Sequence, residues 1–294
     1  MKQFLLTIAV ASSVLFSCKE EQGLAEKSEK KVNVTFAVSD FSEEIVNYGK
    51  TARTSAAGDT LLNYASRLEY HVYDSVGMFV KSIVQDSTAS NFGQIEDQLS
   101  AGQYTLYFAA FRGNGYVSLH LPYFMPRGDW YDTFVKKMSL TVGSQDIEQQ
   151  VRLARIVSAI EVTLTDPIPV NTSKLELLVS NEADSYSLER EEPVISANTT
   201  KSKTFLLSRD DENKTGKKLF MYVGNTAEPV SVTIRAYNAT NQVIAEKVVT
   251  SVTTVKNKMT LLRGRLFTPT GSPMANFSVT VSPEWLAPSD PILF

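Results

Sequence analysis

Cys18 is the only thiol in the chain, and the residues before it decide what its sulfur can do. Met1-Lys2-Gln3 gives a short positive start, and Phe4 to Leu15 gives an apolar run too short to span a bilayer comfortably. Leu15-Phe16-Ser17-Cys18 follows, which is the layout of a bacterial lipoprotein signal, although Phe16 is bulkier than the small residue that usually stands there. Cleavage before Cys18 would remove residues 1–17. The sulfur would then carry diacylglycerol and the freed amine a further chain such as palmitate. More than one chain makes anchoring stable, since each buried methylene contributes about 0.8 kcal/mol. An ordinary signal peptide with a chance cysteine is the alternative; the lack of cysteine elsewhere favours the lipid. A lipidated Cys18 leaves no thiol for a disulfide, so an exported chain of this kind must be held by packing alone.

Other chemistry is sparse. Of the two histidines, His71 falls on the polar face of an alternating run, and His120 lies between Leu119 and Leu121. They share no ligand spacing and read as structural. The chain has no Gly-x-Ser-x-Gly elbow, phosphate loop, His-Glu-x-x-His pair or Asp-rich calcium loop. No catalytic residue, metal or cofactor is expected. Two distant carboxylates could serve a glycosidase without any motif, but an enzyme ranks last. Arg127-Gly128-Asp129 is an adhesion-type tripeptide, which works only when exposed on a tight turn. Tyr123, Phe124, Trp130 and Tyr131 make its loop aromatic. They either pack down on their own sandwich or form a face for carbohydrate or a partner. A net charge of −3 and a pI near 5.6 argue against nucleic acid.

The elements that must carry these residues are strands. Hydrophobic residues make up 43% and charged residues 21% of 294, a globular balance with length for two domains. Residues 18–31, nearly all charged or small, form a flexible tether. Then Val32, Val34, Phe36 and Val38 alternate with polar or small neighbours, the period of a half-buried strand. Leu68, Tyr70 and Val72 repeat it, with Arg67, Glu69 and His71 opposite. Between them, Tyr48 to Asp59 is a polar loop with cleavable Lys50 and Arg53. Asp74-Ser75-Val76-Gly77 is turn chemistry leading to a strand at Met78–Val84. Leu99-Ser100-Ala101-Gly102-Gln103-Tyr104 has the form of a tyrosine corner, in which the phenol bonds backbone a few residues upstream. Tyr104, Leu106, Phe108 and Ala110 then alternate into the core.

Further strands are expected at Val117–Leu121, Met138–Val142 and Ile147–Leu153. A second series runs from Arg155–Asp166 through Lys174–Ser180, Thr204–Leu207, Leu219–Val223, Val230–Tyr237, Val243–Thr250 and Met259–Phe267 to Phe277–Val281. No stretch has sustained helical periodicity. The pattern predicts an all-β protein of two tandem β-sandwiches, residues 32–153 and 154–294.

In this order the segments resemble the fimbrillins that build type V pili of Gram-negative anaerobes, and more closely their lipid-anchored anchor and minor subunits. The matching pieces are the lipobox, VNVTFAVSDF from Val32, RLEYHVYDSVG from Arg67 and NFGQIEDQLSAGQYTLYFAA from Asn91. LTVGSQDIEQQVRLARIVSAIEVTLTD from Leu140 and NKMTLLRGRLF from Asn257 complete the set. The resemblance implies transthyretin-like Greek-key sandwiches, lipid anchoring in the outer membrane with surface exposure, and other pilus subunits as partners. It also implies assembly by strand exchange, in which a neighbour's strand completes a sandwich that lacks one. In shaft subunits a cut in the loop after the first strand removes that strand with the lipid; Lys50 and Arg53 lie at the matching place. A shaft subunit would lose Val32, Val34, Phe36 and Val38 and donate Phe277, Val279 and Val281. An anchor would keep its first strand. Lys19-Glu20-Glu21 is similar to a charged export tag. Asp59-Thr60-Leu61, Asp74-Ser75-Val76 and Asp86-Ser87-Thr88 are similar to O-glycosylation sites of such bacteria. The other function in view is a surface lipoprotein that binds a glycan or host ligand without polymerising.

Overall fold

Val32, Val34, Phe36 and Val38 are buried along one side of the first strand, as their alternation requires. The computed structural model describes residues 31–41, 61–268 and 277–282. Cys18, the signal, Lys19–Lys30 and the loop with Lys50 and Arg53 lie outside them. Among the described residues there are nineteen strands, two single 3-10 turns and no α-helix.

The first nine strands are β1 (Lys31–Phe41), β2 (Arg67–Asp74), β3 (Phe79–Asp86), β4 (Gln94–Ser100), β5 (Gly102–Phe111), β6 (Gly115–Val117), β7 (Tyr123–Pro126), β8 (Thr133–Val142) and β9 (Ile147–Arg155). Seven of them form one sheet in the order β3-β2-β5-β8-β9-β1-β4. It folds over at β8 and β9, which pair only through Phe134–Arg155 and Val135–Ala154. The two halves thereby enclose a core of Val34, Phe36, Leu68, Tyr70, Phe108, Phe134 and Leu153. Ser100–Gly102 carries the chain from one half to the other. The tyrosine corner is present there: Tyr104 Oη donates to the Ser100 carbonyl at 3.0 Å.

The remaining strands are β10 (Ser158–Leu164), β11 (Lys174–Ser180), β12 (Ala183–Ser187), β13 (Glu192–Ile195), β14 (Thr200–Leu206), β15 (Lys217–Val223), β16 (Val230–Tyr237), β17 (Val243–Val252), β18 (Met259–Gly264) and β19 (Ser278–Ser282). Sheets β15-β10-β18-β19 and β14-β11-β16-β17 enclose a second core of Ile160, Val162, Leu175, Leu177, Leu219, Val232 and Ile234. The protein is all-β and built of sandwiches. The two sandwiches share a plan. β1 pairs antiparallel with β4 and parallel with β9, as β10 pairs antiparallel with β15 and parallel with β18.

A third core, between the sandwiches, was not legible in the alternation. It gathers Tyr107, Ala109 and Phe111 from β5, Phe124 and Trp130 around β7, and Ile156, Ala183, Tyr186, Leu188 and Met259 from beyond β9. A small sheet, β13-β12-β7-β6, spans the same junction. This junction corrects two expectations and adds two strands. The second face of β2 is not solvated: Glu69 and His71 are buried, and Glu69 accepts from the Val117 N–H at 2.9 Å. The segment after β5 has folded over that face. The expected strand at Val117–Leu121 is a hairpin instead, with β6 and β7 on either side of residues 118–122. Strands β12 and β13, absent from the sequence reading, exist because β7 gives β12 an edge to pair with.

Candidate strand-exchange site

β1 is inserted between two neighbours rather than laid on an edge. Val32–Ala37 pair antiparallel with Gln94–Leu99, and Val34–Val38 pair parallel with Ile147–Val151. Its four apolar side chains fill the slot between the sheet halves. Val34 and Phe36 have no exposed area, and the Phe36 ring lies 5.4 Å from Phe108 and 5.6 Å from Tyr70. The slot is an apolar groove with unpaired backbone on both flanks when β1 is taken away.

Polar groups set its register. Asp146 accepts from the Asn33 N–H and Nδ2 at 3.1 and 3.2 Å, and Gln98 Nε2 donates to Asn33 Oδ1 at 3.0 Å. Opposite Val34, Asp97 points inward from β4. An inward charge on an edge strand resists unwanted edge pairing. Asp97 is neutralised by an ion pair with Lys81 of β3 and accepts from Tyr70 Oη at 3.3 Å. Burial, then the Asp97 charge, pushes the Tyr70 phenol well up from its ordinary value. Lys81 also reaches the Gln98 carbonyl at 3.2 Å. Gln85 Nε2 donates to the Gln94 carbonyl at 2.7 Å and Gln85 Oε1 accepts from the Gly93 N–H at 3.0 Å. Side chains of β3 thus close the seam to β4.

The expected donor residues lie at the other end of the chain. β19 pairs antiparallel with β18, Met259–Ser282 through Arg263–Ser278, at the outer edge of its sheet. Val279 and Val281 are exposed, and Phe277 is half-buried against the second core. A Cβ on Gly264 would come within 2.5 Å of the Phe277 ring, so Gly264 makes room for it.

Arg127-Gly128-Asp129 forms a turn in which Gly128 takes φ 97°, a left-handed conformation that glycine accepts without cost. Its carbonyl accepts from Lys201 Nζ at 2.7 Å, and the Arg127 guanidinium lies 5.0 Å from the centre of the Tyr116 ring. The neighbouring aromatics divide. Phe124 and Trp130 are buried in the junction core, with Trp130 Nε1 donating to the Ala183 carbonyl at 2.9 Å. Tyr123 and Tyr131 stay half-buried. The indole sits against Gly224, where a Cβ would fall 2.0 Å away. Packing down is therefore the outcome for Phe124 and Trp130, but onto the junction rather than onto their own sandwich. His71 is buried against Glu69 at 3.2 Å, and His120 is exposed. Among the described residues no group of three or more His, Cys, Asp or Glu could hold a metal ion.

Sequence reasoning missed Glu182, which is fully buried at the junction. Its Oε1 accepts from the N–H groups of Ala183, Gly224 and Asn225 at 2.7, 3.0 and 2.7 Å, while Oε2 has no partner. Burial outweighs these donors and raises the carboxyl from 4.5 to about 7. A carboxyl raised in the fold contributes most below its unfolded value, and that contribution is lost as the pH climbs through the folded value. Stability is expected to fall between about pH 4.5 and 7, by on the order of 3 kcal/mol. Glu182→Gln should start lower, with a buried amide unpaired, yet lose that slope. Urea midpoints across this range check it; parallel slopes in both proteins would contradict it.

A family model described as "Family of unknown function (DUF6562)" matches residues 122–291, from just before β7 to beyond β19. The chain belongs to that family. No curated protein matches it. Solved structures do. The fimbrial anchor protein Mfa2 of Porphyromonas gingivalis aligns with a TM-score of 0.50 at 12% identity, over 86% of this chain and 97% of that one. A candidate polysaccharide-binding protein of Bacteroides thetaiotaomicron aligns at 0.53 and 9%, over 80% and 92%. A candidate cell adhesion protein of Parabacteroides distasonis aligns at 0.51 and 11%, over 87% and 100%. At these identities the likeness concerns the fold, which is fimbrillin-like.

Proposed function

We propose that this member of the family is a cell-surface lipoprotein, held in the outer membrane by acyl chains on Cys18, that serves as anchor or minor subunit of a pilus assembled by strand exchange. The observation that carries the reading is β1 itself. It fills an internal slot, joined on both sides by backbone ladders, and it is the first strand after the tether. An anchor must keep such a strand, because it alone links the lipid to the folded body. The partners in this reading are other pilus subunits. Strand addition by a neighbour needs a sheet edge, and among the described residues β19 lies at the edge of its sheet.

Cys18→Ala is expected to abolish uptake of labelled palmitate and release the protein from membranes with both sandwiches folded. Intact mass of the wild-type surface form reads lipid and loop together. An anchor retains the lipid and an uncut chain; a mature form beginning at Thr54 without lipid would make this a shaft subunit. A Cys18→Ala protein that still fractionates with membrane would overturn the lipid assignment. Saturable glycan binding by a strict monomer would favour the non-polymerising alternative.

A further inference from the structure

We infer that one pole of the first sandwich is a bilayer-contacting surface, formed by the β2–β3 turn and the loop between β6 and β7; this rests on the lipid at Cys18. Two apolar tips stand at this end of the first sandwich. Val76 and Met78 in the turn are 79% and 65% exposed, and Leu119 and Leu121 in the loop are 46% and 56% exposed. The Asp74 carboxylate accepts from the N–H groups of Val76 and Met78 at 3.0 and 2.8 Å. Tyr73 Oη donates toward the carbonyls of Ser118 and Leu119 at 3.2 and 3.4 Å. That contact sets the loop beside the turn. Four exposed apolar side chains brought to one end of the fold offer a contact patch.

The path of the chain says what covers it. Lys31 pairs with Ser100, Tyr104 with Asp74, and Gly102 with Val142. The start of β1 and the β2–β3 turn therefore share one end of the sandwich. Twelve residues separate Lys31 from Cys18, a span of about 45 Å fully extended and averaging about 20 Å as a coil. A lipid on Cys18 keeps this pole, more than any other, close to the membrane. Apolar side chains at the end of a short tether then enter the interface as a second contact, which fixes orientation where a lipid alone leaves the body free to tumble. The second sandwich would face outward, toward other subunits.

The test uses the full lipidated chain in vesicles of phosphatidylethanolamine with a minority of phosphatidylglycerol, some acyl chains brominated. Val76→Trp and Leu121→Trp are compared with Leu206→Trp, which reports a side chain 80% exposed on the second sandwich. After subtraction of the wild-type emission, bromine should quench the first two several-fold more than the third. Equal quenching at all three, with the protein floating with vesicles, would overturn the pole and leave the lipid standing. Failure to float would remove the lipid and the pole with it. Self-association of the Cys18→Ala chain, relieved by Val76→Ser, would assign the surface to a second copy and also overturn the inference.

Discussion

Phe36→Ala is expected to destabilise the first sandwich by about 3–5 kcal/mol, the range for deleting a buried aromatic ring. The ring has no exposed area and reaches from β1 across to the opposite half of the folded sheet, against Phe108 and Tyr70. Its loss leaves a cavity in a slot whose walls are held apart by ladders on both sides, so collapse is limited. Val279→Ala on the exposed face of β19 is the control and should stay within about 0.5 kcal/mol. Urea unfolding of both variants, followed by fluorescence, gives the comparison. The same substitution bears on assembly. A weakened β1 should exchange with an added peptide covering Val32–Val38, whereas the wild-type strand should not. A cost for Phe36→Ala below about 1 kcal/mol would mean that β1 does not occupy the slot in solution, and the strand-exchange reading would lose its footing.

The strands were legible where one face is apolar and the other polar. β1, β4, β11 and β16 bury alternate residues, and period two is all that such strands need to declare themselves. The tyrosine corner was legible for a different reason: its glycine turn and its tyrosine lie within a few residues of each other. Legibility failed at the junction. Glu69 and His71 look solvated in sequence, because a charged residue is buried only when distant partners supply its bonds. Those partners, Val117 for Glu69 and Gly224 and Asn225 for Glu182, come from segments that no local pattern ties together. The aromatic loop failed in the same way. Its composition fits a ligand face as well as a packed one, and the glycine that admits the Trp130 ring, Gly224, lies far along the chain. The exchange site lies between these extremes. Val32 to Val38 announce a buried strand, but only the topology shows that it is an internal strand, flanked by β4 and β9.

Arg155→Met is expected to cost about 3–5 kcal/mol, because it strands a buried carboxylate. Arg155 donates from Nε and Nη2 to the two oxygens of Asp132 at 2.6 and 3.0 Å, and from Nη1 to Asn257 Oδ1 at 2.8 Å. Its guanidinium lies 4.8 Å from the centre of the Phe134 ring. These contacts join residues before β8, at the end of β9 and in the turn before β18, so one side chain ties the first sandwich to the second. Burial pushes the Asp132 carboxyl above its ordinary value against the pull of Arg155, which shows how costly the site is for a lone charge. The double variant Asp132→Leu/Arg155→Met removes both charges and should recover most of the loss, since a buried pair contributes little beyond its apolar replacement. A double-mutant cycle in urea would then give a coupling of several kcal/mol. Additive losses would show that the pair is not formed at the junction, leaving the apolar core around Trp130 and the β7–β12 pairing to hold the sandwiches together.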